Sequence, residues 1–170
     1  MERQGRHRYY RFARPDVAYA IEALANLAKM TRHQSLQATQ SKQLVRSGVR
    51  YCRTCYDHLA GTVGVRLTTA MLERDILVKN KDSYIITEPG AFWFEEFGIS
   101  LESLKQSRRA FARQCLDWSE RQPHLAGSLG AALLATMIEK KWLRTVQFSR
   151  EITITSIGKT ALYEMFELAV

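Results

Sequence analysis

Cysteine is scarce: the 170 residues hold three, Cys52, Cys55 and Cys115. An odd number, with two of them three positions apart, excludes the paired framework that staples small secreted domains and favours a reducing cytoplasm. No stretch reaches the roughly 18 apolar residues of a membrane span, and the opening twelve residues lack the apolar run of a secretion signal. Also missing are a Gly-rich phosphate loop, a His-Glu-x-x-His helix and a Gly-x-Ser-x-Gly elbow, so the chain is expected not to be an enzyme. Cys55 has Asp57 and His58 nearby, but no recognisable nucleophile motif surrounds it.

What is present suffices for a buried core, with 46% hydrophobic and 25% charged residues. The net charge of +8 is unevenly placed. The first 50 residues carry ten basic and three acidic side chains, the remaining 120 fifteen and fourteen. Positive charge gathered at one end points to a docking surface on a polyanion, against the plainer reading of a solvated basic tail.

Within that basic end, Arg6 to Ala13 reads as a strand with little or no partner before it. Pro15-Asp16 opens a helix running to about Met30, with Val17, Ile21, Leu24 and Ala28 at helical spacing. At about 1.5 Å per residue it is roughly 24 Å long, enough to pair with a second copy of itself. Thr31 to Gln43 is polar and aperiodic, and reads as a linker.

Beyond the linker the sequence repeats itself. Cys55-Tyr56-Asp57-His58-Leu59-Ala60-Gly61 is answered by Cys115-Leu116-Asp117-Trp118 and, after an insertion, His124-Leu125-Ala126-Gly127. Gly64 then matches Gly130, Met71-Leu72-Glu73 matches Met137-Ile138-Glu139, and Ile85-Ile86-Thr87 matches Thr153-Ile154-Thr155. Gly90 matches Gly158. The ordered correspondence marks a duplication. Each copy reads as helix, Gly break, helix, short hairpin and a closing helix capped by Thr87 or Thr155. Asn80 to Ser83 supplies a turn, and Ser100 to Arg109 a connecting helix. The expected fold is therefore mainly α with small β-hairpins, an α+β class of tandem winged-helix-like lobes. Its expected parts are 1–30 (wing strand and dimerisation helix), 31–43 (linker), 44–99 (first lobe) and 100–170 (connecting helix and second lobe).

Arg3-Gln4-Gly5-Arg6-His7-Arg8-Tyr9-Tyr10-Arg11, followed by the Pro-Asp-Val helix start, resembles the wing and dimerisation helix of ArsR-family winged helix-turn-helix repressors. The two Cys-x-Asp segments are similar to the tail of a long-tailed subgroup of that family, so the resemblance covers essentially the whole chain. It implies a cytoplasmic, homodimeric DNA-binding repressor with double-stranded DNA as partner and an unidentified effector. Arg3, Arg6, His7, Arg8, Tyr9 and Arg11 would then contact DNA, chiefly its phosphates or minor groove. Val17, Ile21, Leu24 and Ala28 would form the dimer seam. In that family four helices, including the recognition helix, come before the wing. The expectation is that the recognition helices are missing here because Met1 is an internal or alternative start, which an in-frame stop just upstream in the DNA would refute. The alternative is a dimerisation and effector module without sequence-specific DNA binding.

Cys55, Asp57, His58, Cys115, Asp117 and His124 are the effector-site candidates. On a helix, Cys52, Cys55 and His58 would sit at i, i+3 and i+6, and a zinc site would need a further ligand such as Asp57, Cys115 or His124. The metal-ligand patterns of the resembled family are not matched, so no cofactor is expected, with a metal ion or a thiol redox switch as the alternatives. The favoured reading makes the repeated Asp and His structural: Asp57 and Asp117 satisfy backbone donors or pair with Arg, and His58 and His124 bridge packed lobes.

Overall fold

In a computed structural model, residues 2–4, 7–9, 48–106 and 108–170 are described. The chain divides into two units, residues 1–44 and 45–170. In the first, β1 (Glu2–Gln4) pairs antiparallel with β2 (His7–Tyr9), in the register Glu2 opposite Tyr9, Arg3 opposite Arg8 and Gln4 opposite His7. The basic strand thus has a three-residue partner. The expected DNA contacts Arg6 and Arg11, the dimer seam Val17, Ile21, Leu24 and Ala28, and the linker lie outside the described residues.

The second unit repeats one element order. The first copy runs β3 (Arg53–Cys55), β4 (His58–Ala60), α1 (Gly61–Glu73), β5 (Leu77–Asn80), β6 (Ser83–Ile86) and α2 (Glu88–Phe97). A short α3 (Leu101–Lys105) follows. The second copy runs β7 (Arg113–Leu116), β8 (Pro123–Ala126), α4 (Gly127–Glu139), β9 (Leu143–Thr145), β10 (Ile152–Ile154) and α5 (Ser156–Phe166). The architecture is mixed α+β, in the expected class. One element differs in each copy: the leading helix expected around Cys52–Gly61 and Cys115–Gly127 is a β-hairpin. The helical spacing of Cys52, Cys55 and His58 is coincidental. Tyr56 takes a left-handed φ of 56°, which turns the chain within two residues and sets Cys55 opposite His58.

Gly61 and Gly127 make the same bend twice. Both adopt left-handed φ, +81° and +83°. A Cβ on Gly61 would lie 2.7 Å from the Arg50 carbonyl oxygen, and one on Gly127 2.4 Å from that of Ala110. The close approach has a purpose, because Ala60 and Ala126 give their helices no side-chain cap. The first amides of α1 donate instead to backbone carbonyls, Thr62 N to Arg50 O at 3.0 Å and Val63 N to Tyr51 O at 2.9 Å. In α4, Ser128 N to Ala110 O and Leu129 N to Phe111 O repeat the arrangement at 3.0 and 2.9 Å. The closing helices carry the expected caps: the Thr87 hydroxyl accepts from Gly90 N at 2.9 Å, and that of Thr155 from Gly158 N at 3.0 Å.

The copies exchange strands. Tyr84 N donates to Ala112 O and Gln114 N to Asp82 O, joining the hairpin β7–β8 to the wing β5–β6 in one four-stranded sheet. The reciprocal bonds, Ile152 N to Cys52 O and Thr54 N to Arg150 O, bring β3–β4 to the wing β9–β10. Each hairpin therefore extends the other copy's wing. Helix α1 packs on β8 and α4 on β4, so the two hairpins meet back to back at the centre. One apolar core runs through both copies, including Val63, Met71 and Phe94 of the first and Leu129, Met137 and Leu162 of the second. Trp93 stacks on Phe97 at 4.9 Å and meets Phe166 edge-on, while Phe97 meets Trp142, tying α2 to the second copy.

Candidate functional site

Back-to-back hairpins place the repeated motif on itself. Cys55 is the register partner of His58, and Cys115 of His124, so each hairpin presents one thiol and one imidazole directly across from each other. Directly opposed residues share a face of the ribbon. Because the hairpins meet at the centre, the four side chains converge: one ligand atom from each of Cys55, His58, Cys115 and His124 lies within 4.8 Å of all the others. All four residues are buried. The two sulfurs are 4.0 Å apart, about twice the roughly 2.05 Å of a disulfide bond, and neither belongs to one. The two imidazole rings lie 5.1 Å apart, tilted by 34°.

A carboxylate stands behind each ring. Asp57 Oδ1 is 3.3 Å from His58 Nδ1, and Asp117 Oδ2 is 3.5 Å from His124 Nδ1. Nε2 of both histidines is buried without a hydrogen-bond partner. His58 Nδ1 is hydrogen-bonded to its carboxylate, which leaves Nε2 free to face the thiols, whereas His124 Nδ1 is close to Asp117 without a hydrogen bond to it, so both nitrogens of His124 are buried without a hydrogen-bond partner.

The two carboxylates are anchored unequally. Asp57 is half-exposed and accepts from Arg109 Nη1 at 2.6 Å. Burial pushes its carboxyl up, but Arg109 and His58 together outweigh burial and lower it. Asp117 is fully buried, as is Arg53, whose Nη2 donates to Asp117 Oδ2 at 2.7 Å. The same oxygen accepts from Gly61 N at 2.7 Å, at the start of α1 where the helix dipole favours negative charge. Oδ1 accepts from Ser119 N and Ser119 Oγ at 2.8 and 2.7 Å. Burial again pushes the carboxyl up, and the Gly61 amide, the Ser119 side chain and the Arg53 guanidinium overcome it, leaving a pKa of about 2. Trp118 covers Arg53, with the guanidinium carbon 4.5 Å from the ring centroid.

All six effector-site candidates therefore gather at one place, four at the centre and the two aspartates behind them. Cys52 does not join: it precedes β3, is buried away from the cluster, and burial holds its thiol at about 12. Arg53, Arg109 and Ser119 are participants that sequence reasoning did not place at the site, and an arginine at the start of a strand such as Arg53 gives no sign of its own burial. Among the expected DNA contacts, Arg3, His7, Arg8 and Tyr9 fall on the N-terminal ribbon. Among the described residues, no helix is long and apolar enough to cross a membrane.

The chain matches no family model and no solved structure. It is 45% identical over 161 residues to the uncharacterized HTH-type transcriptional regulator YdfF of Bacillus subtilis strain 168, a similarity spanning 95% of this chain and 70% of that protein. That family is one of regulators and not of enzymes. With so long a stretch at that identity, the chain belongs to the HTH-type transcriptional regulators.

Proposed function

We propose that the protein is a DNA-binding repressor of the ArsR type, acting in the cytoplasm as a homodimer, with its C-terminal repeats as the effector-responsive part. The observation that carries this reading is the similarity to an HTH-type regulator along 95% of the chain. The charge distribution supports it, since nearly all the excess positive charge falls within the first 50 residues. In this reading residues 1–30 face DNA and the second protomer, 31–43 link them to the tail, and the two copies of the repeat are the lobes 44–99 and 100–170. Arg3, Arg6, His7, Arg8, Tyr9 and Arg11 approach the duplex, and Val17, Ile21, Leu24 and Ala28 form the seam.

The test is a fluorescence anisotropy titration of the chain into mixed-sequence duplex over a salt series. About three to five phosphate contacts give a log–log salt slope of roughly −3 to −5. Replacing Arg3 and Arg8 by Ala should flatten that slope by about 1–2, because each arginine neutralises about one phosphate. No binding at low salt would overturn the reading. Sedimentation at micromolar concentration checks the dimer, and a monodisperse monomer would reject it.

A further inference from the structure

The geometry points to a zinc site at the centre of the second unit, in which Cys55, His58, Cys115 and His124 hold one Zn2+ between the two copies of the repeat. The inference goes beyond the DNA-binding reading and does not depend on it. Three independent observations meet here: four convergent donors, buried imidazole nitrogens without partners on both histidines, and a carboxylate close to each imidazole, hydrogen-bonded in the case of His58.

Size comes first. Zinc binds thiolate at about 2.3 Å and imidazole at about 2.0–2.1 Å, so the edges of a tetrahedral site run about 3.3–3.8 Å. The two sulfurs are already 4.0 Å apart, and no pair of donors exceeds 4.8 Å, so closure on the ion needs only side-chain adjustment. A two-iron cluster would place the thiolates on one iron and the imidazoles on the other. That arrangement spreads sulfur from nitrogen further than the observed set allows.

Chemistry selects the ion. Two thiolates and two imidazoles in a four-cornered arrangement suit zinc, whereas carboxylate and carbonyl oxygen would suit magnesium or calcium. The balance is Zn2+ plus two thiols giving a zinc dithiolate and two protons, with both imidazoles neutral. The resulting centre carries no net charge, which is what a buried position tolerates. All four ligands come from protein, leaving no open position, so the ion is structural.

The orphaned nitrogens and the aspartates complete the argument. A buried imidazole nitrogen without a partner forfeits a hydrogen bond, and a metal bond removes that deficit. A ligating histidine ordinarily turns its other nitrogen to a carboxylate, which fixes the ring and strengthens the ligand. Asp57 holds that place for His58 through a hydrogen bond, and Asp117 lies 3.5 Å from His124 Nδ1, where a small rotation of the ring would complete the same pair. The duplication explains how such a site arises: each copy contributes half, one Cys, one His and one Asp, and only their juxtaposition makes four ligands.

The test uses the full chain without an affinity tag, purified in the absence of chelators and added metal. Elemental analysis should find about one zinc per chain, since structural zinc is retained through purification. Cobalt substituted after chelation should give the intense visible bands of a tetrahedral ion and thiolate-to-cobalt charge transfer in the near ultraviolet. Cys55→Ser combined with Cys115→Ser should lose zinc and the charge-transfer band. Chelator titration of the wild-type chain gives a second readout that does not depend on the folding of that variant, an apparent Tm that falls as zinc is removed and returns when it is restored. Reduced protein that holds no zinc and gives no tetrahedral cobalt spectrum would overturn the proposal. So would a Cys55–Cys115 disulfide in the isolated protein, or zinc retained by the double variant. DNA affinity enters none of these readouts, so failure here leaves the regulator reading standing.

Discussion

Arg53 and Asp117 illustrate how little exposed charge and how much buried charge matter. Both are fully buried, and their bond is reinforced by the Gly61 amide and the Ser119 hydroxyl. Replacing Asp117 by Ala leaves the guanidinium buried and uncompensated, so urea unfolding should show a loss of about 3–5 kcal/mol. Arg109→Ala removes the corresponding partner of Asp57, but that pair is about half exposed and should cost at most about 1 kcal/mol. Similar losses in the two variants would contradict this ranking. Cys52 gives a pH dependence whose sign follows from its burial. Its thiol titrates at about 12 in the folded chain against 9.0 ordinarily. Between those values the unfolded chain has released a proton that the folded chain retains, so stability falls as pH rises. One proton corresponds to a slope of about 1.4 kcal/mol per pH unit. Below pH 9 the term vanishes. Unfolding midpoints from pH 8 to 11 should therefore fall more steeply for the wild type than for Cys52→Ala, and equal slopes would remove the thiol from the account.

At the scale of elements, the ends of α1 and α4 carry a fault that can be mended. Asp75 and Lys141 follow these helices with left-handed φ of 54° and 61°, a conformation that suits glycine. Both are exposed. Lys141→Gly should relieve the backbone at some entropic cost in the unfolded chain, for a net gain of about 0.5–1 kcal/mol read as a raised Tm. A lowered Tm would show that the lysine side chain contributes more than its backbone costs. The duplication, the paired glycines and both threonine caps were legible in the sequence, because each depends on local chemistry that recurs at a fixed spacing. The hairpins were not. Cys52, Cys55 and His58 imitate a helical face, and all three residues of β4 are buried, which hides the alternation that normally announces a strand. The candidate site was legible as a set of residue types, two each of Cys, Asp and His. Their convergence was hidden, because it depends on tertiary contact between the two hairpins. Thr68 belongs to the same class: its hydroxyl donates to Gly64 O and accepts from Leu125 N across the repeat boundary, a role that no local pattern signals.

For the second unit as a whole, the exchange of strands means that neither copy is complete alone. The hairpin of each finishes the wing of the other, and the helix of each covers the other's hairpin. A copy in isolation would expose sheet edges and half an apolar core, and a fold of this size, marginal even when its core is whole, is not expected to survive that loss. Two consequences follow from the same geometry. Unfolding should be a single transition, with fluorescence of Trp93, Trp118 and Trp142 and far-ultraviolet circular dichroism giving one midpoint. Cutting the chain after Gln106, at an exposed position between the copies, should yield halves that are unfolded or aggregated apart and fold together as a one-to-one complex. Co-expression with a tag on one half reads this directly, since the untagged half should co-purify in equal amount. If the ion sits at the centre of the unit, zinc should be found in the complex and be absent from either half, because each half supplies one thiol and one imidazole. Two halves that fold separately and fail to associate would show instead that the strand exchange is incidental to stability, and the repeats would then be independent lobes.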